Sequence, residues 1–125
     1  MISLDDALKI HQILIDKFGG TNGVRDKNAL EASINRPFAT FNLQDLYPGA
    51  IEKAAAILES ILINHPFIDG NKRTGYVLMR IILLNHNFDL IANEEEKYKM
   101  VISVSKGELR FDGIKDWIEK YSKRN

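Results

Sequence analysis

The sequence predicts an all-α fold, a compact bundle of about six helices with one short flap. Apolar residues recur at helical spacing through most of the chain, and cap residues, glycines and prolines divide it into segments. Only residues 38–48 lack a helical period. Because a chain of 125 residues supports one domain, we expect a single domain over residues 1–125.

Two helices are predicted before residue 38. Ser3 is a suitable N-cap for the first, which Gly19-Gly20 ends. Its inward-facing residues follow the helical period: Ala7, Ile10, Leu14 and Phe18. Asp26 caps the second helix, which ends near Arg36 because the following Pro37 pushes the residue before it out of the helical region.

A third and a fourth helix follow a short irregular stretch. Residues 38–48 mix apolar and polar side chains loosely, which predicts a short hairpin or flap. The third helix begins at Gly49 and has a wide apolar face that includes small alanines. The fourth runs from about Asn71 to Asn85 and is apolar nearly all round, which is typical of a central, buried helix.

Two further helices and a polar tail complete the chain. Asn93, with a glutamate three residues later, resembles a capping box and predicts a helix to about Val104. Asp112 is the predicted cap of the last helix. Residues 122–125 are polar, so we expect a frayed end.

Composition limits the classes of function. Lys plus Arg equals Asp plus Glu, 17 each, so the chain is not expected to bind nucleic acid through a generally basic surface. The absence of cysteine excludes disulfides and thiolate metal sites. The N-terminus lacks a signal-peptide pattern, and the longest apolar stretch, interrupted by Arg80, is too short to span a bilayer. We therefore expect a cytoplasmic protein without membrane contact. His11 and His86 have no evident ligand partners and are interpreted as surface or capping residues.

The turn before the fourth helix carries the most informative chemistry. It holds an imidazole (His65), a carboxylate (Asp69) and two cations (Lys72 and Arg73) around Gly70. The cations fall in the first helical turn, which is already the positive end of the helix dipole. Cations there are explained if an anion joins them, because free N–H groups at a helix start bind phosphate. The turn therefore predicts a phosphate site, with His65 as candidate base and Asp69 as candidate magnesium ligand.

Structural explanations exist for the same residues. His65 could bond a helix-terminal carbonyl, and Asp69 could cap the next helix. Lys72 and Arg73 could be solvated surface charges, and Phe67 could pack and fix the turn. A P-loop is excluded, because that motif needs Ser or Thr directly after the lysine, where this chain has Arg73.

The segment His65-Pro66-Phe67-Ile68-Asp69-Gly70-Asn71-Lys72-Arg73 resembles the signature of the Fic/Doc (Fido) superfamily. Lys72 stands where adenylyl-transferring members usually have glycine, which is similar to the Doc branch, the death-on-curing toxins of type II toxin–antitoxin modules. Tyr76 stands where the adenylyl-transferring motif has a second arginine, which is consistent with that branch. The resemblance extends over nearly the whole chain, including Gly23-Val24-Arg25-Asp26 and Gly107-Glu108.

The resemblance implies a Fido-type helical fold and a toxin with kinase activity. Such a toxin transfers the γ-phosphoryl group of ATP, with Mg²⁺, to a protein hydroxyl, here a threonine of elongation factor Tu, and so arrests translation. His65 would be the general base, with Asp69, Lys72 and Arg73 as further catalytic residues and Asp69 as the metal ligand. The implied ATP-binding residues are Phe67, Gly70, Asn71, Lys72, Arg73 and Thr74.

The resemblance also implies a partner. A small Phd-like antitoxin would inhibit the protein in trans, since the chain lacks the Ser/Thr-x-x-x-Glu-Gly/Asn motif of members inhibited in cis. No direct nucleic-acid binding is expected without the antitoxin. Residues 38–47 would be the flap that aligns the target. Two alternatives stay open: a Fic-type adenylyltransferase, and a catalytically inactive Fido binding module.

Overall fold

Six α-helices dominate the computed structural model, which describes all residues from 1 to 125. They are α1 (Leu4–Phe18), α2 (Lys27–Asn35), α3 (Ala50–Asn64), α4 (Asn71–Asn85), α5 (Glu94–Ser105) and α6 (Phe111–Tyr121). The predicted all-α fold is confirmed, because the strands form only two short antiparallel pairs. None of the six helices combines the length and the apolarity needed to cross a membrane.

The hairpin or flap predicted at residues 38–48 is confirmed as a β-hairpin. A short 3-10 turn, Arg36–Phe38, leads into strands β1 (Thr40–Phe41) and β2 (Gln44–Asp45). Asn42 and Leu43 between the strands have φ of 51° and 65°, as in the tight turns that suit the twist of a hairpin. Lys53 of α3 donates to the Tyr47 carbonyl and thereby ties the end of the flap to the core.

The centre of the core is the contact between α3 and α4. Helix α3 is buried continuously from Lys53 to Leu62, and its alanines let neighbouring helices approach closely. On α4, Gly75 serves the same purpose, since a Cβ there would lie 2.5 Å from Leu62 Cδ1. The predicted central position of α4 is confirmed, and the turn between these two helices is held on the most buried part of the molecule.

An ionic cluster around the buried Glu59 joins α3 to the flap and to α6. Glu59 of α3 is 6% exposed and accepts hydrogen bonds from Arg36 at 2.8 Å, Arg110 at 3.0 Å and the Phe111 N–H at 2.6 Å. Arg36 also donates to the Tyr47 hydroxyl at 2.9 Å. Burial alone would raise the pKa of Glu59, but these donors outweigh burial and lower that pKa below its ordinary value.

Two predictions about the C-terminal part are wrong. Helix α6 begins at Phe111 after Arg110, and Asp112 is not its cap. The reason is the distant Glu59, which accepts the first N–H of the helix and replaces a local cap. The tail is also not frayed, because β4 (Ser122–Arg124) pairs antiparallel with β3 (Phe88–Leu90).

The buried face of α1 also differs from the prediction. Ala7, His11 and Ile15 are buried, whereas Phe18 is 54% exposed. The interpretation of His11 as a surface or capping residue is therefore wrong. For His86 it is confirmed, because this exposed residue follows α4 and its Nδ1 bonds the Ile82 carbonyl at 2.9 Å.

Candidate active site

Residues 65–70 reverse the chain between α3 and α4 with a left-handed residue at each end. His65 ends α3 with φ of 48°, and Gly70 precedes α4 with φ of 76°. A Cβ on Gly70 would lie 3.2 Å from Ile15 Cδ1 and 3.5 Å from His11 Nε2, so glycine suits both the conformation and the close packing. The turn places the candidate base beside the start of α4.

Arg25 binds this turn through its backbone and its side chain. Its N–H donates to the Pro66 carbonyl at 2.7 Å, and its guanidinium donates to the carbonyls of Asn64 and His65, each at 2.6 Å. The last carbonyls of a helix lack helical partners and attract cations, so Arg25 stabilises the end of α3. Sequence reasoning missed this role, because the partners lie 39 and 40 residues away and leave no local pattern.

Asn71, the first residue of α4, joins the turn to His65. It is 6% exposed; its Oδ1 accepts from the Phe67 N–H at 3.0 Å, and its Nδ2 donates to the Phe67 carbonyl at 3.0 Å. The same Nδ2 lies 3.2 Å from His65 Nδ1. Because the bonds to Phe67 orient the amide, Nδ1 is the acceptor, and the neutral His65 ring carries its proton on Nε2. Both amide hydrogens of Asn71 thus have protein partners.

His11 of α1 supports the turn from beneath. It is 2% exposed, and its Nε2 donates to the Asp69 carbonyl at 2.8 Å. Its ring stacks on that of Phe67, with centroids 3.9 Å apart and planes 5° from parallel. Phe67 is itself only 1% exposed, so this predicted ATP-binding residue lies inside the core in this conformation.

The Asp69 carboxylate lies on the surface and is held by two backbone groups. The Thr21 N–H donates to Oδ2 at 3.1 Å, and the Gly70 N–H donates to Oδ1 at 2.8 Å. These bonds lower the pKa of Asp69 below its ordinary value, so the group is an anion at neutral pH. Asp69 does not cap α4, since Gly70 occupies the N-cap position without a side-chain bond.

The fit of a magnesium ion depends on Asp69. No group of three or more His, Cys, Asp or Glu side chains is placed to hold a metal. Mg²⁺ does not need one, because it keeps several waters and takes phosphate oxygens with one or two carboxylates. An exposed anion with a free lone pair on each oxygen meets that requirement.

Lys72 and Arg73 lie on the outer side of the α4 start. Both side chains are exposed, and neither has a carboxylate within salt-bridge distance. The Arg73 guanidinium lies over the Phe18 ring, 4.4 Å from its centroid. The first backbone bond of the helix runs from the Thr74 N–H to the Gly70 carbonyl, so the three N–H groups before it have no helical partner. Two unpaired cations and three free N–H donors are groups that attract an anion.

The remaining predicted residue, Thr74, is turned into the protein. It is fully buried, and its Oγ1 has no hydrogen-bond partner. On the opposite side of α4, a cavity of about 360 Å³ opens towards α5. It begins at Lys72 and Arg73 and continues along Tyr76 and Tyr98. Sequence reasoning did not assign a binding role to either tyrosine.

A comparison with protein families identifies the family of the chain. A family model described as the Fic/DOC family matches residues 1–83, which include the whole turn and the start of α4. The chain therefore belongs to the Fic/DOC family, and the resemblance inferred from its sequence is confirmed.

Two relatives of the chain have names that are more specific than the description of the family. The chain is 49% identical over 59 residues to "Toxin Doc" of Mycolicibacterium smegmatis, and this match covers 47% of the chain and 45% of that relative. It is 24% identical over 119 residues to "Protein kinase doc" of Escherichia phage P1, covering 95% of the chain and 93% of that relative.

Proposed function

We propose that the chain is a toxin that transfers the γ-phosphoryl group of ATP to a hydroxyl of a protein target. The names of the two relatives, a toxin and a protein kinase, support this proposal. The observation that carries it is the unpaired Lys72 and Arg73 beside three free backbone donors at the start of α4. Phosphoryl transfer depends mostly on positioning and charge stabilisation, and these groups provide both.

In the proposed reaction the target oxygen attacks the γ-phosphorus. A bond forms between that oxygen and the phosphorus, and the bond from phosphorus to the β–γ bridging oxygen breaks. ADP leaves with the electron pair, and the hydroxyl proton passes to His65. Lys72, Arg73 and the free N–H groups stabilise the negative charge on the phosphate oxygens.

The proton transfer sets a condition on His65. The ring nitrogen without a proton is Nδ1, and Nδ1 is occupied by the Asn71 amide. His65 is exposed, so its ring can turn and present Nδ1 to a hydroxyl. We expect target binding to break the bond to Asn71, as catalytic bonds often form only in the complex.

Asp69 is the residue that would hold Mg²⁺ in this proposal. The ion would neutralise charge on the phosphate oxygens when bound. Apart from the ion, the Asp69 carboxylate holds the Thr21 backbone against the turn and so maintains the shape of the site.

The proposed target and inhibitor are those that the resemblance to the Doc branch implies. We propose a threonine of elongation factor Tu as the acceptor and a small Phd-like antitoxin as the inhibitor in trans, both in the cytoplasm. The flap supports a target-binding role, because Phe41, Leu43 and Leu46 expose apolar surface there, with Leu43 fully exposed. Tyr76 stands where the adenylyl-transferring motif has its second arginine. The lack of that arginine favours phosphoryl over adenylyl transfer.

The test is label transfer from ATP to elongation factor Tu in the presence of Mg²⁺. We expect label from the γ position and none from the α position. His65→Ala should reduce transfer by about 10²- to 10⁴-fold, the range for a general base, whereas the exposed His86→Ala should not. Label from the α position alone would replace this proposal by adenylyl transfer. If ATP binds but no label passes to elongation factor Tu or to any protein of a bacterial lysate, the chain would be a catalytically inactive binding module.

A further inference from the structure

His65 has a backbone conformation that residues other than glycine rarely adopt. Its φ and ψ are 48° and 57°, in the left-handed region, where the Cβ atom crowds the carbonyl oxygen. The next residue is Pro66, and a residue before proline favours an extended backbone. Strain of this kind persists only where the surrounding structure holds it, and it is concentrated at functional sites. The groups that hold His65 are therefore candidates for a role in the proposed reaction.

The side chain of Arg25 fixes the peptide plane that follows His65. Its Nε donates to the His65 carbonyl and its Nη2 to the Asn64 carbonyl, each at 2.6 Å. The guanidinium is planar, so two donors at a fixed spacing set the directions of both carbonyls at once. Hydrogen bonds from a charged donor are also stronger than neutral ones. Because ψ of His65 determines where its carbonyl points, these bonds hold the residue in the left-handed conformation.

The backbone of residues 23–26 keeps Arg25 in place. The Arg25 N–H donates to the Pro66 carbonyl at 2.7 Å, and the Ile68 N–H donates to the Gly23 carbonyl at 3.0 Å. Gly23 has φ of 129°, a conformation that suits glycine. Arg25 is exposed, but its side chain starts from a backbone that is already bonded to the turn. Less freedom is therefore lost when the guanidinium forms its two bonds.

Asn71 and Arg25 act on different parts of His65. Asn71 lies against the ring nitrogen Nδ1, whereas Arg25 bonds the backbone carbonyl. The proposed proton transfer requires the ring to leave Asn71 and turn towards the target hydroxyl. If the backbone is fixed, rotation about the side-chain bonds can bring Nδ1 to only a few positions. Without the Arg25 bonds the backbone can relax towards an extended conformation, which moves Cβ and the whole ring.

We propose that Arg25 is a positioning residue for His65. The proposal rests on the proposed function and deepens it, because it names the group that holds the general base where a bound hydroxyl can reach it. Arg25 touches neither the phosphate groups nor the target in this proposal. It acts only through the backbone of His65.

The test is a double-mutant cycle on the transfer of γ-label to elongation factor Tu. Arg25→Ala should lower kcat about 10- to 100-fold, since a displacement of about 1 Å can have that effect, and should leave the KM values for ATP and target unchanged. In the His65→Ala protein, Arg25→Ala should cause no further loss, because no ring remains to be positioned. Arg110→Ala is the matched control. Arg110 is also exposed and its guanidinium also bonds a distant element, so its removal should lower stability but not kcat.

Two further measurements separate positioning from a general loss of structure. Affinity for inorganic tripolyphosphate, the phosphate chain of ATP without its nucleoside, should not change in Arg25→Ala, because Arg25 holds the end of the turn away from Gly70. The ¹³Cα resonance of His65, one of three histidines in the chain, reports its backbone conformation and should move in Arg25→Ala but not in Arg110→Ala. If Arg25→Ala does not fold, Arg25→Gln, whose amide can replace one of the two donors, takes its place in the cycle.

Each outcome decides the proposal. An unchanged kcat in Arg25→Ala would overturn this inference alone. Equal losses of kcat with and without the His65 ring would also overturn it, since Arg25 would then act independently of the base. A higher KM for the target with kcat unchanged would make Arg25 a target contact instead. If the wild-type protein with bound ATP transfers no label, this inference and the proposed function are both overturned.

Discussion

Two pairs of cations in this molecule have opposite surroundings. Arg36 and Arg110 converge on the buried Glu59, which bonds both of them. Lys72 and Arg73 converge on no carboxylate and lie at the positive end of α4. Acidic and basic residues are equal in number, so the second pair is unmatched because of where it lies, not because carboxylates are scarce.

The comparison separates charges that are paired within the fold from charges that have no partner in it. The first pair connects three elements of the chain through one carboxylate. The second pair, in the absence of an anion, is placed against the helix dipole at a cost of about 0.3–1 kcal/mol per charge. Departures of this kind from local rules are expected at functional sites.

The largest expected effect comes from removing Lys72 and Arg73 together. In Lys72→Ala/Arg73→Ala, ATP affinity should fall about 10³-fold, because charged hydrogen bonds contribute about 1.5–3 kcal/mol each. The free energy of unfolding should stay the same or rise, since two cations leave the positive helix end. Calorimetric titration and urea unfolding measure the two quantities.

The chain contains a matched control for this variant. Lys123 and Arg124 are also adjacent and exposed, and Arg124 lies over the Phe88 ring at 4.7 Å, much as Arg73 lies over Phe18. Lys123→Ala/Arg124→Ala should leave ATP affinity unchanged. Equal losses in the two double variants would show an effect of net charge and would remove the distinction between the pairs.

The helices were predictable from local signals, and the errors lie where distant residues decide. Ser3 and Asn93 cap their helices as their patterns predict, because each side chain accepts a hydrogen bond from the N–H three residues later. The start of α6 was not predictable, because its first N–H is bonded by Glu59, 52 residues away. The pairing of the tail with Phe88–Leu90 is also non-local and leaves no periodic pattern in four polar residues.

The sequence predicted which residues make up the candidate site, but not which of them are buried and which are exposed. The spacing of the turn indicated an anion site at the start of α4. Packing was one of the roles predicted for Phe67, but the spacing could not show that Asn71 and Thr74 are buried and directed into the protein. Nor could it show that His11 lies beneath the turn, because a lone histidine on an apolar helix face has no signature that distinguishes a buried from an exposed position.

The second-largest expected effect is on stability, because the ionic cluster around Glu59 should make a pH-dependent contribution to the free energy of unfolding. Glu59→Gln keeps the shape of the side chain but removes its charge, so it should destabilise the protein by about 1–2 kcal/mol at neutral pH. The pKa of Glu59 in the folded protein lies below its ordinary value of 4.5. The stabilisation is therefore complete above pH 4.5 and is lost as the pH falls through the folded pKa.

Urea unfolding of both proteins between pH 7 and pH 3 tests this expectation. The difference between wild type and Glu59→Gln should shrink below pH 4.5, and ATP affinity at neutral pH should not change. Glu95→Gln is the control, because Glu95 pairs with Lys99 on the surface, where an ion pair contributes little. A difference that stays constant down to pH 3 would mean that the charge of Glu59 does not stabilise the fold.

The smallest expected effect comes from replacing His11, which tests whether anion binding by Lys72 and Arg73 depends on the turn of residues 65–70. His11→Phe keeps a ring against Phe67 but loses the donor to the Asp69 carbonyl, which should cost about 1 kcal/mol of stability. Because that carbonyl directly precedes Gly70, we also expect tripolyphosphate to bind several-fold more weakly to the fully folded variant. His11→Gln, whose amide can replace the ring N–H, should restore tripolyphosphate binding. His86→Phe, which removes a histidine bond to a carbonyl at the other end of α4, should have no effect on it. If His11→Phe lowers stability while tripolyphosphate binding stays intact, the anion site depends only on the start of α4 and not on the turn that leads into it.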